Sequence, residues 1–310
     1  MSIESRRVRV VALVVLAALA LLPLAGDPFA IRLATRIMIY GLAALSLDLL
    51  IGITGLVSFG HAAYLGLGAY VIGIGAWHGL GELMLAWPLA ILVSGLAALL
   101  IGAISLRTSG VSFIMITLAF AQMLFFLIAS LRQYGADDGL GIARRNTLLG
   151  WPLLADHTAF FYVVLAILTL ALWLGARLAA SRFGVVLQGI RQNERRMLAL
   201  GFATYRYKLA AFTLAGAIAG LAGALLANHA LYVSPQSLHW TTSGELIVMV
   251  LLGGMGSLIG PVLGAAALLL AEDMLSAWTE HWQIFLGPLL LLVVLYGRRG
   301  ILGLLGGRGG

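Results

Sequence analysis

The sequence predicts an all-α protein, a polytopic transmembrane helical bundle of about eight to ten spans with broken or re-entrant segments. Three observations predict it. Hydrophobic residues make up 62% of the 310, charged residues only 10%, and mean hydropathy is +1.05; a typical soluble domain carries about a quarter charged residues. Apolar runs of about 20 residues, the length that crosses a hydrocarbon core, follow one another along the chain. Charge is gathered into islands between them, above all residues 177–208. We read residues 1–310 as one integral-membrane domain with no separate soluble one.

In order, the runs fall near 8–25, 31–51, 61–77, 84–105, 111–131, 158–176, 207–231, 243–253, 258–275 and 282–297. The first follows Arg6, Arg7 and Arg9. It is long for a signal peptide, and PLAGDPFA is a poor cleavage site, so a retained first span is expected. Residues 243–275 read as two short segments around GGMGSLIGP rather than one helix. With the N-terminus inside, the nineteen basic residues divide unequally: only Arg32, Arg36, Arg132, Arg144 and Arg145 fall outside, against fourteen inside. That is the asymmetry of a positive-inside topology. It also accounts for the pI near 10.1 without a nucleic-acid partner.

The island Arg177–Lys208 holds seven basic residues and one acid, Glu194. A bilayer core rejects such a run, since each charge at the midplane costs about 2.5–3.5 kcal/mol on insertion scales. Apolar side chains at Ile190, Met197, Leu198 and Leu200, with Gly201 as a stop, describe a partly apolar helix suited to docking a partner at the cytoplasmic surface. On the opposite face, residues 132–157 form the longest outer loop, a mixed-charge segment containing Asp137 and Asp138.

Thirty-nine glycines are present. Pairs such as Gly216 and Gly220, or Gly256 and Gly260, suit close helix packing in lipid. Two clusters differ. GITGLVSFGHAAYLGLGAY (52–70) and GGMGSLIGPVLG (253–264) interrupt apolar runs, and broken helices at membrane depth occur where freed backbone groups are buried or line a wet cavity. Asp48, near the inner end of its span, either relays protons or binds a substrate ammonium, or else caps a neighbouring broken helix or hydrogen-bonds backbone in the nearby GITG turn. Ser58, His61 and Tyr64 either pack or supply donors to a polar path. Arg32 and Arg36 are expected to snorkel.

Absences narrow the chemistry. Zero cysteines exclude disulfides, thiol catalysis and cysteine-based metal sites. The only lysine is Lys208, in RYKLA, so no phosphate-binding G-x-x-x-x-G-K-[ST] loop exists. No hydrolase signature or metal-ligand spacing stands out, and neither a catalytic residue nor a metal site is expected.

GLVSFGHAAYLGLGAY (55–70), GVSFIMITLAFAQ (110–122), YGADDGLGI (134–142), RQNERRMLALGFATYRYKLAAFTLAGAIAGLAGAL (191–225) and GGMGSLIGPVLGA (253–265) together resemble the permease subunits of branched-chain amino acid ABC transporters. The DDGL loop and the YKLAAF continuation are closer to the LivM-type subunit than to its LivH-type partner. The resemblance implies a transport subunit rather than an enzyme, with no cofactor of its own. Its partners would be a second, LivH-type permease, two ATP-binding subunits that hold the ATP, an extracytoplasmic solute-binding protein, and membrane lipid. It implies that the cytoplasmic loop couples to the ATPase through Arg191, Asn193, Glu194, Leu200 and Gly201. It also implies a substrate path past the broken segments, near Ser58, His61, Tyr64, Asp48 and Ser257, and an outer gate or binding-protein contact at Asp137 and Asp138. The chain departs from the family pattern at Arg196, Met197 and Leu198, and has Asp48 where an asparagine is usual. A rival reading makes the chain a proton- or cation-coupled secondary transporter using Asp48, which leaves the basic loop without a task.

Overall fold

The computed structural model describes residues 6–152, 154–278, 287, 300 and 301. Ten α-helices are found among them: α1 (Arg6–Leu21), α2 (Pro28–Asp48), α3 (His61–Trp77), α4 (Leu83–Ser105), α5 (Val111–Ala129), α6 (His157–Ala180), α7 (Arg182–Ala199), α8 (Thr204–Ala230), α9 (Trp240–Gly253) and α10 (Gly260–Ser276). A two-residue ribbon, β1 (Leu140–Gly141) antiparallel to β2 (Tyr232–Val233), is the one named sheet among the described residues. Helix starts follow local chemistry. The Asp27 carboxylate accepts from the Phe29 N–H ahead of α2, where Pro28 occupies the first turn, and Asp156 does the same for α6 through the Ala159 N–H.

Among the described residues five helices are long and apolar enough to cross a membrane: Pro28–Thr54 (α2 with a π turn, Leu49–Thr54, continuing it), α4, α5, α6 and α8. Shorter helices at α1, α3, α9 and α10 fall on the remaining expected runs. The expected run 282–297 lies outside the described residues. The two-segment reading of 243–275 matches α9 and α10, separated by residues 254–259. The charged island is less of a loop than its composition suggests. α6 continues to Ala180 and carries Arg177, while α8 begins at Thr204 and carries Arg206 and Lys208.

α2 is the axis of the bundle, 94% buried over its most apolar window, against 22% for α5 and 28% for α6. The outward faces of α4 and α5 are apolar (Leu85, Leu92, Leu100, Met115, Phe126), as a lipid-facing surface demands. α8 packs against both α3 and α4 at backbone distance: a Cβ on Gly223 would fall 1.8 Å from the Leu65 carbonyl oxygen, and one on Gly220 2.3 Å from the Ser94 hydroxyl. Small residues at helix crossings in lipid serve this approach. At the far end, the Tyr162 hydroxyl donates to the Ala20 carbonyl (3.2 Å) and fastens α1 to α6.

Gly223→Val should therefore wedge α8 from α3 and lower the unfolding temperature in detergent, because overpacking a tight crossing costs about 1–3 kcal/mol. Gly81→Ala, where an added methyl meets nothing within 4 Å, should leave it unchanged.

Candidate functional site

The polar segment between α6 and α8 is a compact hairpin. Ser181 opens α7 by accepting from the Gly184 N–H (3.3 Å). The helix runs regularly to Gln192 and then breaks at Asn193, whose φ of −160° and ψ of 96° are extended. The Asn193 side-chain oxygen accepts from the Arg196 N–H (3.0 Å), so Asn193 caps a second short segment, Glu194–Ala199. That segment folds back until Met197 lies on Gly189, where a Cβ would stand 2.8 Å from the sulfur. It ends in a Schellman turn. The Gly201 N–H bonds to the Leu198 carbonyl (2.9 Å), the Phe202 N–H bonds to the Met197 carbonyl (3.1 Å), and Gly201 takes φ +86°. Lys208 Nζ pairs with Glu194 Oε1 at 2.6 Å and fixes the second segment to the first turns of α8.

Val186, Leu187 and Ile190 face the bundle, whereas Arg195, Arg196, Leu198 (54% exposed) and Leu200 (66%) face away from it. Arg191 takes neither course. Its guanidinium turns under the hairpin, and Nη1 donates to the Gly52 carbonyl in the π turn that ends α2. Its stem lies against Gly55, 3.1 Å from where a Cβ would be.

At that point the two broken segments cross. A Cβ on Gly52 would fall 2.5 Å from both the Cα and the N of Gly256, so only glycine permits the contact. Asp48 Oδ1 accepts from the Gly256 N–H at 2.8 Å, and the Ser257 hydroxyl donates to the Gly254 carbonyl at 2.6 Å. Asp48 thus caps the break between α9 and α10. It also borders a cavity of about 520 Å³ whose walls are otherwise apolar (Leu42, Leu45, Leu170, Leu214), with Arg177 and Ser181 among its polar lining.

Ser58, His61 and Tyr64 are buried at the start of α3. Ser58 Oγ accepts from the Gly60 N–H (3.2 Å). The Ser46 hydroxyl donates to the Ala43 carbonyl (2.7 Å), and His61 Nε2 lies 2.7 Å from the same Oγ. With that hydroxyl proton committed, His61 Nε2 is the donor and Nδ1 carries the lone pair. Nδ1 and the Tyr64 hydroxyl have no hydrogen-bond partner among the described residues. The ring of Tyr64 instead packs edge-on to His61 and Phe212. Hydrogen bonds from the Ala62 N–H to Ser243 and from Ser94 to the Tyr64 carbonyl bind α3 to α9 and α4.

On the opposite face, Asp137 and Asp138 are exposed on a short 3-10 turn, Ala136–Asp138, and the Tyr232 hydroxyl donates to the Asp138 carbonyl. That loop is exposed at Arg144, Asp156 and His157 but not throughout. Arg145 is buried. It donates to the carbonyls of Asn228 (3.0 Å) and Leu154 (2.9 Å) and to His157 Nδ1 (2.8 Å), and its guanidinium lies 4.7 Å over the Phe160 ring. Asn146 and Asn228 exchange hydrogen bonds at 2.8 and 2.7 Å. Burial draws the Arg145 pKa below its ordinary value and Asp156 opposes this; arginine stays charged regardless. The one sequence clue to this network was Asn228, an amide in an apolar helix that needs partners. Arg36 also departs from the snorkelling expected of it: Nη2 lies 3.5 Å from Glu272 Oε1 on α10, with the guanidinium over Tyr40. Among the described residues no group of three or more acids and histidines could hold a metal.

Comparison with known proteins follows the same architecture. Residues 29–294 match the family model described as branched-chain amino acid transport system / permease component. The chain is 30% identical to the high-affinity branched-chain amino acid transport system permease protein LivM of Salmonella typhimurium, over 88% of this chain and 69% of that protein. It is 29% identical to LivM of Escherichia coli over the same shares. A shorter likeness, 31% over 50% of this chain and 46% of the relative, is to the autoinducer 2 import system permease protein LsrC of Escherichia coli. No solved structure matches the chain.

Arg145→Met should leave the carbonyls of Asn228 and Leu154 without their donor, a loss of about 1–3 kcal/mol per buried group. Limited proteolysis should then cut residues 140–156 at least several-fold faster than in the parent, while the transmembrane fragments stay intact.

Proposed function

This chain belongs to the branched-chain amino acid transport permease family, and from that membership we propose that it is one of two dissimilar membrane subunits of an ATP-driven importer in a bacterial inner membrane. Its companion is a LivH-type permease. Two ATPase subunits sit beneath the pair, and an extracytoplasmic binding protein delivers a branched-chain amino acid or a solute of similar size. The N-terminus and α7 face the cytoplasm, as the arginine asymmetry favours.

The observation that carries this reading is the α7 hairpin. Its outer rim combines exposed Leu198 and Leu200 with Arg195 and Arg196, a surface suited to the groove of a soluble partner. Asn193 as cap and Gly201 as stop hold that rim in shape, and Glu194 with Lys208 anchors it to α8. An ATPase dimer that closes on nucleotide would displace the hairpin as a body, biasing the bundle between two arrangements. This chain needs no cofactor for that role; ATP is held by the partner. Arg36 and Glu272, with side chains 42% and 28% exposed, favour coverage of the α2–α10 face by the companion permease, because charges within spans avoid hydrocarbon. Asp137 and Asp138 stand where the binding protein would meet the outer face. Solute would pass the breaks at 55–60 and 254–259, with Asp48 and Ser257 shaping the inner end of the path.

Proteoliposomes containing all four kinds of subunit should accumulate leucine-like amino acids only with ATP inside. Full-rate uptake without the ATPases would sink the proposal. Leu200→Glu should abolish co-purification of the ATPases while the two permeases remain associated, and Gly201→Val, which strains a left-handed turn, should lower uptake with it. Asp48→Asn distinguishes the cation-coupled alternative. The amide oxygen still accepts from the Gly256 N–H, so uptake should stay within about fivefold of the parent, since the hydrogen-bond difference is about 1 kcal/mol or less; a proton or cation site would be lost.

A further inference from the structure

Three stretches far apart in sequence meet at one point: the π turn ending α2, the break between α9 and α10, and the first segment of α7. Resting on the importer reading above, we propose that this junction is the inner latch of the transport path, and that Arg191 is the positioning residue through which movement of α7 reaches it.

The geometry assigns each part a task. Gly52 and Gly256 bring the two breaks into backbone contact, and no side chain intervenes. Asp48 ties the Gly256 N–H to α2 from one side. Arg191 takes the Gly52 carbonyl from the other, with its stem across Gly55. Gly52 lies at a helix end, where the last carbonyls lack an intrahelical donor, so Arg191 supplies the donor that the π turn lacks. Besides the first segment's packing on the bundle, the Glu194–Lys208 pair joins the hairpin to α8 on the far side of the bend at Asn193. A hairpin held at Lys208 and moved at its rim therefore swings Arg191. A shift of about 1 Å takes an N–H···O contact beyond hydrogen-bonding range. With Arg191 withdrawn, the Gly256 N–H on Asp48 is the remaining hydrogen bond between the α2 end and the α9–α10 break among the described residues. The latch thus closes the path while α7 is up and frees it when α7 is pulled.

The Arg191 guanidinium is engaged by the Gly52 carbonyl rather than by the rim of Leu198 and Leu200, which separates this role from docking. The test uses the complete transporter in proteoliposomes, with Arg191→Ala and Arg191→Lys. Arg191→Ala should leave ATP hydrolysis within about twofold of the parent and lower solute moved per ATP by about tenfold or more, the signature of lost transmission rather than lost docking. Arg191→Lys, which still donates to the Gly52 carbonyl, should recover part of that ratio; it decides alone if the alanine variant does not accumulate. Proportional loss of hydrolysis and uptake, loss of the ATPases on purification, or an unchanged ratio would each overturn the proposal. The chain has no cysteine, so Ile53→Cys, buried beside Gly52, reports the latch directly. A water-soluble maleimide should modify it about fivefold faster or more in the Arg191→Ala background, where the opened population is larger. Equal labelling rates would overturn the latch even if uptake changes. If the parent shows no ATP-dependent uptake, the importer reading falls and the labelling rates still judge the latch.

Discussion

Backbone groups freed from a helix inside a membrane must find partners within the protein, and the architecture of this chain follows from that constraint at two breaks. Residues 55–60 and 254–259 leave the helical pattern in otherwise apolar stretches. Each break is closed locally by a serine, Ser58 on the Gly60 N–H and Ser257 on the Gly254 carbonyl. What remains open at the inner end is supplied from a distance, by Asp48 and Arg191. Remove glycine from positions 52 and 256 and the breaks cannot approach; remove the two charged residues and their backbone groups stand unpaired.

The two ends of the bundle satisfy this constraint differently. At the outer end Arg145, Asn146 and Asn228 form a dense, reciprocal network, and the Glu82 carboxylate adds bonds to the N–H groups of Leu149 and Gly150. Local opening there must break several hydrogen bonds together, which raises its free energy. At the Gly52 end the bridges among the described residues, Arg191 to Gly52 and Gly256 to Asp48, are single bonds. The Arg145 end is therefore the more densely tied of the two, and a displacement of α7 bears on fewer hydrogen bonds near Gly52.

The spans were legible in the sequence because apolar length and punctuating glycine are local signals. His61–Trp77 begins and ends as read, and GGMGSLIGP does separate two helices. Gly201 as a helix stop was legible too, since a left-handed residue after an amphipathic stretch is a one-position signal. What escaped depends on contacts across the chain. Nothing near Arg145 announced burial; its neighbour Arg144 is exposed. Arg36 looked like a snorkelling side chain until α10 brought Glu272 beside it. Arg191 sits in the same polar motif as Arg195 and Arg196, and helix periodicity alone could not foresee the bend at Asn193 that lets the first turn inward while the others face out.

The bend also bears on where work enters the molecule. Lys208, the only lysine, is mostly buried and held by Glu194, so it is occupied in anchoring α7 to α8 rather than free for a phosphate. On the importer reading the chain is driven through a surface, and that surface has to be rigid where it is gripped and connected where it acts. The second segment of α7 meets the first requirement through its cap, its Schellman turn and its ion pair. The first segment meets the other: near its end Ile190 is buried, and the next side chain, Arg191, reaches Gly52. Because Asn193 separates the two, the importer reading assigns them different tasks: the rim to partner binding, and Arg191 to what the bound partner moves.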